Sequence, residues 1–371
     1  MVEKKREQDL LAWSAQQLAD QGWSCPAELS LQSLNGDAGF RRYFRLNCEP
    51  SLLAVDAPVD HEDSEAFVAI ARYLRGQSVR TPQIIATDFQ RGFLLVEDFG
   101  DRLYRDELLL DDSRASQLYG DALLTLLRLQ QCPLEAIPAA DGESLLTLPD
   151  YSQQRLRDEM SLFHEWFLPQ LLGYVLSDDE RQVLDALYRR LEEVALQQPQ
   201  VWVHRDYHSR NLIYRDGKAP GVIDFQDAVR GPITYDLVSL LRDCYLRWSP
   251  SQVEKWALTY GDMAVECGLM PPVTQTDFLR WFDWMGLQRH LKVLGIFSRL
   301  YLRDGKAGYL ADIPLVIRYT VEVADKYPEL SDFSSWFREK ILPLCDSHRW
   351  YDDFQLAGER GSIDGEQPTV V

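Results

Sequence analysis

Two short segments of the sequence carry side chains that together could transfer a phosphoryl group. His204 to Asn211 reads His-Arg-Asp-Tyr-His-Ser-Arg-Asn, and Asp224 follows a short apolar run further along the chain. Phosphoryl transfer requires one carboxylate that orients the attacking hydroxyl, and oxygen ligands for the Mg²⁺ ions that neutralise the phosphates. We therefore predict Asp206 as the catalytic base and Asn211 and Asp224 as ligands of Mg²⁺.

The spacing of the first segment fits the pattern H-R-D-x-x-x-x-N of kinase catalytic loops. Asp224-Phe225 falls where that pattern places a metal-binding Asp-Phe-Gly, with Gln226 in place of the glycine. The alternative is that Asp206 and Asn211 only form turns and Asp224 only ends a strand. Isolated turns do not require all of these spacings together, which favours the catalytic interpretation.

Two histidines, His204 and His208, flank the predicted base at a spacing that could bind a metal. No third ligand with zinc-site spacing accompanies them, so we interpret His204 as a residue that packs the loop. Asp236 lies near the start of a predicted helix, where it could cap the helix or brace the catalytic loop.

Two upstream segments are candidates for nucleotide binding. Gly36 and Gly39 lie in a turn between predicted strands, where glycines would let backbone amides approach phosphates closely. An ordinary β-hairpin turn is the alternative. Leu94 to Gly100 resembles a hinge whose backbone could receive an adenine, with a plain loop as the alternative. We predict nucleotide binding by Gly36, Gly39, Glu97 and Phe99.

These segments are positioned by elements whose periodicity changes near residue 100. Before that point the sequence predicts an opening helix that stops at Gly22, a small antiparallel sheet and one further helix. The predicted strands cover residues 28–34, 40–46, 51–56, 84–87 and 93–98, and the second helix covers 60–75. We predict a nucleotide-binding domain over residues 1–99.

Beyond residue 100 the periodicity is mostly helical. The predicted helices cover residues 105–131, 150–170, 178–197, 235–247, 250–267, 275–300, 311–326 and 330–343. Short predicted strands at 201–203, 212–214 and 221–223 interrupt them and lead into the loops with the candidate residues. We predict a catalytic and substrate-binding helical domain over 100–348 and a loosely docked tail over 349–371.

Composition narrows the possible partners. Lysine plus arginine count 39 and aspartate plus glutamate 58, so the 371-residue chain has a formal net charge of −19. This acidic balance repels nucleic acids and anionic membranes, and we expect neither as a partner.

The six cysteines are scattered without paired spacing, which predicts free thiols. The sequence has neither a signal-peptide pattern nor an apolar run of about 18 residues, so we predict a cytoplasmic protein.

Together, His204 to Asn211, Ile223 to Phe225 and Pro232 to Leu240 resemble the aminoglycoside phosphotransferase and choline kinase superfamily of small-molecule kinases. The resemblance covers most of the chain, from the hairpin near Gly36 to the helices near Tyr319. It implies an α+β, two-lobed protein-kinase-like fold, with a small antiparallel-sheet N-lobe and a larger, mostly helical C-lobe. It also implies ATP as co-substrate and Mg²⁺ as cofactor.

Three further segments resemble a narrower family, the anomeric sugar kinases of bacterial cell-wall recycling. These segments are Arg80 to Ile84, Val96 to Asp101 and Gly286 to Lys292. The resemblance implies phosphorylation of N-acetylmuramate and N-acetylglucosamine at C1. It also implies that the product enters UDP-sugar synthesis through a separate uridylyltransferase.

The third predicted strand departs from the superfamily pattern. Its members usually carry a lysine or arginine there that holds the α- and β-phosphates, but residues 52–58 contain neither. Arg41, Arg42 or Arg45 on the preceding strand could supply the charge, and alternation places Arg41 and Arg45 on one face and Arg42 on the other. We predict Arg41 and Arg45 as nucleotide-binding residues; alternatively, the metal does most of the neutralising.

Sugar binding requires polar groups near Asp206. We predict Asp227, just past the predicted metal ligand Asp224, and Arg289 and His290 on the helix around 275–300 as sugar-binding residues. A cationic side chain on that helix would suit the lactyl carboxylate of N-acetylmuramate. A solvated helix face is the alternative for Arg289.

Two other functions compete with a sugar kinase. An antibiotic kinase of the same superfamily would use acidic residues to attract a polycation, but the acidic residues here are distributed along the chain. A pseudokinase without turnover is the second alternative, and the missing strand cation favours it. The presence of Asp206, Asn211 and Asp224 argues against it, because a scaffold has no chemical need for all three.

Overall fold

The computed structural model describes residues 2–23, 26, 28–34 and 40–359. The chain divides into two compact units that interleave along the sequence. The first unit contains residues 1–151, 199–237 and 260–272, and the second contains residues 152–198, 238–259 and 273–371. This is a different division from the domains expected at 1–99, 100–348 and 349–371, which stay predictions.

The described ranges contain short strands and many helices. The strands are β1 (Leu31–Ser33), β2 (Arg42–Leu46), β3 (Leu52–Asp56), β4 (Ile84–Asp88), β5 (Phe93–Glu97), β6 (Ile137–Pro138), β7 (Leu145–Leu146), β8 (Gln200–Val203), β9 (Leu212–Ile213), β10 (Gly221–Val222) and β11 (Val229–Pro232). The α-helices are α1 (Val2–Asp20), α2 (Ser64–Gly76), α3 (Tyr104–Leu110), α4 (Ala115–Gln130), α5 (Gln153–Leu162), α6 (Asp178–Gln197), α7 (Tyr235–Leu241), α8 (Pro250–Glu266), α9 (Gln275–Asp304), α10 (Ile313–Lys326), α11 (Ser331–Trp336) and α12 (Leu342–Cys345). Segments of π-helix extend α5 and join α11 to α12, and 3₁₀ turns precede α4, α10 and α11.

The first unit contains a five-stranded sheet in the order β1-β2-β3-β5-β4. Each neighbouring pair is antiparallel, which confirms the predicted sheet. Because successive side chains of a strand point to opposite faces, Phe44 and Leu46 of β2 lie on the same face. Both pack in one apolar cluster with Leu10, Trp13 and Leu18 of α1.

Helix α2 begins later than predicted because a side chain caps it. The Asp63 carboxylate accepts a hydrogen bond from the Ala66 amide at 2.8 Å, as expected of an aspartate at a helix N-cap. The preceding residues, from Asp60 to Asp63, are therefore a turn and a cap. This turn carries Glu62, which the candidate site uses.

The single helix predicted over residues 105–131 is wrong, and the helix predicted over 235–247 ends at Leu241. Residues 105–131 form two helices, α3 and α4, because Asp111 accepts hydrogen bonds from the amide and hydroxyl of Ser113 and so ends α3 and caps a 3₁₀ turn. The pattern also did not predict β6, β7 or β11. Strand β11 forms through antiparallel pairing with β8.

The second unit is organised around α9, which is 30 residues long and buried along much of its length. A Cβ on Gly295 would lie 2.3 Å from the backbone of Leu162, so only glycine permits this approach of α9 to α5. An apolar core that includes Phe163, Leu291 and Ile317 surrounds the contact. A small antiparallel sheet together with mostly helical structure confirms the α+β class. None of the described helices is long and apolar enough to cross a membrane.

Candidate active site

The predicted catalytic loop follows β8 and begins at His204, which is almost fully buried. Its Nδ1 accepts a hydrogen bond from the amide of Asp206 at 3.3 Å, so Nε2 carries the proton and donates to the carbonyl oxygen of Ile223 at 3.0 Å. Burial lowers the pKa of His204, which favours this neutral form. His204 therefore packs the loop, as we interpreted it, and joins Asp206 to the residue before Asp224.

Asp236, at the start of α7, braces the same loop. Its buried carboxylate accepts hydrogen bonds from the amides of His204, at 2.6 Å, and Arg205, at 3.0 Å. Arg205 has a φ of 78°, a left-handed conformation that is unfavourable for a residue with a Cβ. Asp236 therefore fixes a strained turn directly before the predicted base.

The structure brings together the three residues of the predicted phosphoryl-transfer site. The side-chain nitrogen of Asn211 donates to the carbonyl oxygen of Asp206 at 2.9 Å and to Oδ2 of Asp224 at 3.2 Å. Asp224 has a φ of 64°, and its Oδ1 accepts a hydrogen bond from Gln226 at 2.9 Å. The glutamine that replaces the kinase glycine thus holds the aspartate that we predict as a metal ligand.

The electrostatics at Asp224 favour a cation. Although the side chain reaches solvent, the surrounding protein raises its pKa, and the carboxylate of Asp206 raises it further. A bound cation would compensate the negative charge of the Asp224 carboxylate. Mg²⁺ binds through one or two protein oxygens together with substrate phosphates and water, so Asp224 and the amide oxygen of Asn211 fit it. Among the described residues, no group of three or more His, Cys, Asp or Glu side chains could hold a metal by itself.

The arginines around β2 divide between the two faces of the sheet, as the alternation predicts. Arg42 forms ion pairs with Asp56, at 2.6 Å, and with Glu7 of α1, at 3.1 Å. Arg45 forms ion pairs with Asp98, at 2.5 Å, and Asp101, at 2.7 Å. Its pKa is raised, first by the hydrogen bonds to Asp101 and then by those to Asp98. Each guanidinium therefore already holds two carboxylates.

Arg41 has different surroundings. Its side chain is 5% exposed, and Nη2 lies 2.9 Å from Oε2 of Glu62, in the turn before α2. The guanidinium lies over the ring of Phe67 at 4.7 Å, and Phe67 stacks on Phe225 with ring centroids 5.0 Å apart. Phe225 follows the predicted metal ligand Asp224, so these contacts connect Arg41 to the metal-binding segment.

Tyr43 gives an independent indication of the same proximity. It pairs across the sheet with Val55 of β3, and cross-strand partners share a face. Burial raises the pKa of the Tyr43 hydroxyl, Arg41 lowers it and Asp224 raises it. Arg41 and the predicted metal ligand Asp224 therefore both affect this phenol, whose partner on β3 is the apolar Val55.

Glu97 and Phe99 both take part in contacts with arginines. The Glu97 carboxylate accepts the amide of Gln83 at 3.1 Å and forms ion pairs with Arg75 and Arg80. The ring of Phe99 lies under the guanidinium groups of Arg80, at 5.2 Å, and Arg215, at 5.6 Å. These side chains stabilise the segment, and the amides of Glu97 and Asp98 donate to the carbonyl oxygens of Gln83 and Ser51. Adenine binding at this segment stays a prediction.

The other predicted residues have separate placements. Gly36 and Gly39 lie outside the described residues. Asp227 is exposed on the loop after Asp224, in the first unit, whereas Arg289 and His290 belong to the second unit.

Arg289 and His290 are both buried on α9, so the alternative of a solvated helix face for Arg289 is wrong. His290 stacks on Tyr319 with ring centroids 5.0 Å apart. Burial lowers its pKa well below the usual range, and Arg242 and Arg289 lower it further, so His290 is neutral.

Sequence reasoning missed Glu62 and Gln226 as members of this site. Gln226 could have been found, because it occupies the glycine position of the kinase pattern, two residues after the predicted metal ligand Asp224. Glu62 had no such signal, since it lies in a polar turn and its role depends on contacts made after folding.

The loop geometry and the sheet define a phosphotransferase of the protein-kinase-like class. Residues 30–270 match the family model described as "Phosphotransferase enzyme family", and the chain belongs to this family. It is 39% identical to the N-acetylmuramate/N-acetylglucosamine kinase of Pseudomonas putida over 339 residues, which is 90% of this chain and 96% of the relative.

A second relative and a solved structure agree with this assignment. The N-acetylmuramate/N-acetylglucosamine kinase of Pseudomonas aeruginosa is 38% identical over 341 residues, with 90% of this chain and 96% of the relative covered. The ADP-bound crystal structure of aminoglycoside phosphotransferase APH(2'')-Ib is similar in fold, with a TM-score of 0.51 at 15% identity. That similarity covers 84% of this chain and 97% of the other. The fold is therefore kinase-like, as the resemblance of the sequence implied.

Proposed function

We propose that this chain is an ATP- and Mg²⁺-dependent kinase that phosphorylates N-acetylmuramate and N-acetylglucosamine at the anomeric C1 hydroxyl. The observation that carries the proposal is the 38–39% identity, over 90% of the chain, to two relatives that bear the name N-acetylmuramate/N-acetylglucosamine kinase. The convergence of Asp206, Asn211 and Asp224 supports catalysis over a scaffolding role.

In the proposed mechanism, Asp206 orients the attacking hydroxyl and accepts its proton. His204 and Asp236 hold the loop, so the carboxylate needs little reorganisation when the sugar binds. Asn211 and Asp224 would hold Mg²⁺, which supplies charge neutralisation at the phosphates. Gln226 keeps the Asp224 carboxylate in place.

The remaining binding residues are part of the proposal. For the nucleotide we propose the backbone around Gly36, Gly39, Glu97 and Phe99. For its phosphates we favour Arg41 over Arg45, because Arg45 is held by two carboxylates. For the sugar, Asp227 in the first unit and Arg289 and His290 in the second stay predictions.

The chemistry of the product suggests its fate. A sugar 1-phosphate is the substrate from which a uridylyltransferase makes a UDP-sugar, so we propose that a separate enzyme of this class consumes it. We also propose that the reaction takes place in the cytoplasm, where ATP is available.

Phosphorus NMR of the purified protein with Mg·ATP tests the proposal, with each sugar and an aminoglycoside in separate samples. We expect a sugar 1-phosphate resonance that is lost in Asp206→Asn and retained in Asp216→Asn, which removes an exposed aspartate outside the site. Phosphorylation of the aminoglycoside alone would indicate an antibiotic kinase. Intact ATP in every sample would indicate a protein without turnover.

A further inference from the structure

The third strand offers no cation to the nucleotide, yet the same face of the sheet holds a buried one. Val55 of β3 is apolar and fully buried, and its cross-strand partner is Tyr43. Arg41 lies two residues before Tyr43 and is 7% exposed. In protein kinases the strand cation is a lysine that pairs with a glutamate from a helix. Here the cation is Arg41, which directly precedes β2. It pairs with Glu62 in the turn before α2.

Glu62 makes two contacts that fix this arrangement. One carboxylate oxygen, Oε2, lies 2.9 Å from Nη2 of Arg41, and the other, Oε1, accepts the backbone amide of Phe40 at 3.2 Å. The ring of Phe40 also stacks on His61, with centroids 4.2 Å apart and planes 16° from parallel. One carboxylate thus holds both the side chain of Arg41 and the backbone that leads into β2.

The ion pair leaves donor capacity on Arg41. Among the described residues, neither Nε nor Nη2 forms a hydrogen bond although both are buried, and Nη2 has only its ion pair with Glu62. A buried guanidinium without full partners is unfavourable unless a ligand supplies acceptors, and phosphate oxygens match its geometry. The contacts from Arg41 through Phe67 to Phe225 place this donor in the same packed cluster as the residue after Asp224.

We propose that Glu62 is a positioning residue for phosphoryl transfer, which holds Arg41 as the phosphate-binding cation that β3 lacks and sets the hairpin backbone at Phe40. The inference rests on the proposed function, because it assigns a role at the nucleotide side of that site. Glu62 acts through Arg41, so the two residues form one unit. Arg42 and Arg45 do not take this role, since each already holds two carboxylates.

A thermodynamic cycle on Arg41 and Glu62 tests the inference. Calorimetric titration of Mg·ATP in the absence of sugar gives Kd for wild type, Arg41→Met, Glu62→Gln and the double variant. Loss of a charge-assisted contact predicts that Arg41→Met raises Kd by roughly 10- to 100-fold. Glu62→Gln should produce most of that increase. The double variant should match Arg41→Met, because glutamine retains an oxygen that can accept the Phe40 amide and the lost charge acts through Arg41.

Glu7→Gln is the matched control, since it removes a carboxylate from the Arg42 pair on the opposite face of the sheet. We expect its Kd to stay within about twofold of wild type. In steady-state kinetics Glu62→Gln should raise KM for ATP while leaving KM for the sugar nearly unchanged, a split that a general loss of stability does not produce. Arg41→Lys serves as the second variant if Arg41→Met fails to fold.

Two results would overturn the inference: a folded Glu62→Gln protein with wild-type Kd, or increases in Kd that multiply in the double variant. The titration also separates this inference from the proposed function. A wild-type protein that binds Mg·ATP but phosphorylates no sugar would refute the function, while the Kd cycle would still decide the role of Glu62. A wild-type protein that does not bind Mg·ATP would refute both.

Discussion

At the scale of single residues, the predicted catalytic loop and the predicted metal-binding segment both have a strained backbone that polar side chains hold. Arg205 and Asp224 have positive φ values of 78° and 64°, and this conformation costs a residue with a Cβ about 1–2 kcal/mol. Asp236 accepts two amides at the first position, and Gln226 donates to the carboxylate at the second. Strain that is held in this way is typical of functional sites, where it presets the reacting groups.

Replacing Asp236, which holds the predicted catalytic loop, should therefore lower both the free energy of unfolding and kcat. In Asp236→Asn the side-chain amide retains one acceptor, so one of the two buried backbone amides loses its partner. We expect a loss of about 1–3 kcal/mol in the free energy of unfolding. We also expect kcat to fall by at least about tenfold, because a loop shifted by a fraction of an ångström misplaces Asp206.

Urea denaturation and initial-rate kinetics measure the two effects. Asp150→Asn is the control, since Asp150 is exposed and lies 3.9 Å from Arg230 in a weak surface pair. A variant of Asp236 with wild-type kcat would show that the loop keeps its geometry without the brace.

At the scale of elements, helices and strands with a local sequence pattern were predictable. Elements that form only by pairing with a distant part of the chain were not. Helix α6 was predicted at its observed bounds from its periodicity, and a capping box formed by Ser177 and Glu180 starts the helix there. Strand β11 was missed, since Val-Arg-Gly-Pro has no alternating pattern and forms a strand only against β8. The same reason separates Asp206, which a motif predicts, from Glu62, whose partner Arg41 meets it only in the folded protein.

The capping box of α6 also predicts a pH dependence. Burial raises the pKa of Glu180, but hydrogen bonds from the Tyr174 hydroxyl, at 2.5 Å, from Ser177 and from Trp336 lower it to about 2. The pKa of the folded state is thus below the usual value of 4.5. The charged carboxylate therefore stabilises the protein above about pH 4.5, and this contribution is lost as the pH falls from there toward about 2.

Glu180→Gln should consequently destabilise the protein by about 1–3 kcal/mol at pH 7. The difference from wild type should be constant from pH 8 to pH 6 and shrink below about pH 4.5. Urea denaturation across this range measures it. Glu193→Gln, an exposed substitution on the same helix, should be nearly neutral at every pH. A difference for Glu180→Gln that does not change with pH would exclude the charge as its cause.

At the scale of the whole molecule, the candidate phosphoryl-transfer residues belong to the first compact unit, as do Arg41, Arg42 and Arg45. Ligand binding there should appear as global stability, because a ligand that binds only the folded state stabilises it by RT ln(1 + [L]/Kd). At 100 times Kd this amounts to about 2.7 kcal/mol. The acidic chain, with its net charge of −19, makes the metal important for bringing a polyanionic nucleotide to this surface.

We therefore expect Mg·ATP to raise the midpoint of thermal unfolding by several degrees, and ATP with EDTA to raise it far less. Asp224→Asn should lose most of the increase. Without ligand this variant should be close to wild type in stability. The loss of one of the hydrogen bonds from Asn211 and Gln226 opposes the relief of a charge that the surrounding protein and Asp206 disfavour. Differential scanning fluorimetry measures both effects, with Asp216→Asn as the control that keeps the full increase. An equal increase with EDTA, or in Asp224→Asn, would contradict a metal site at Asn211 and Asp224. Nucleotide binding through that metal requires both the metal and the side chains that hold it.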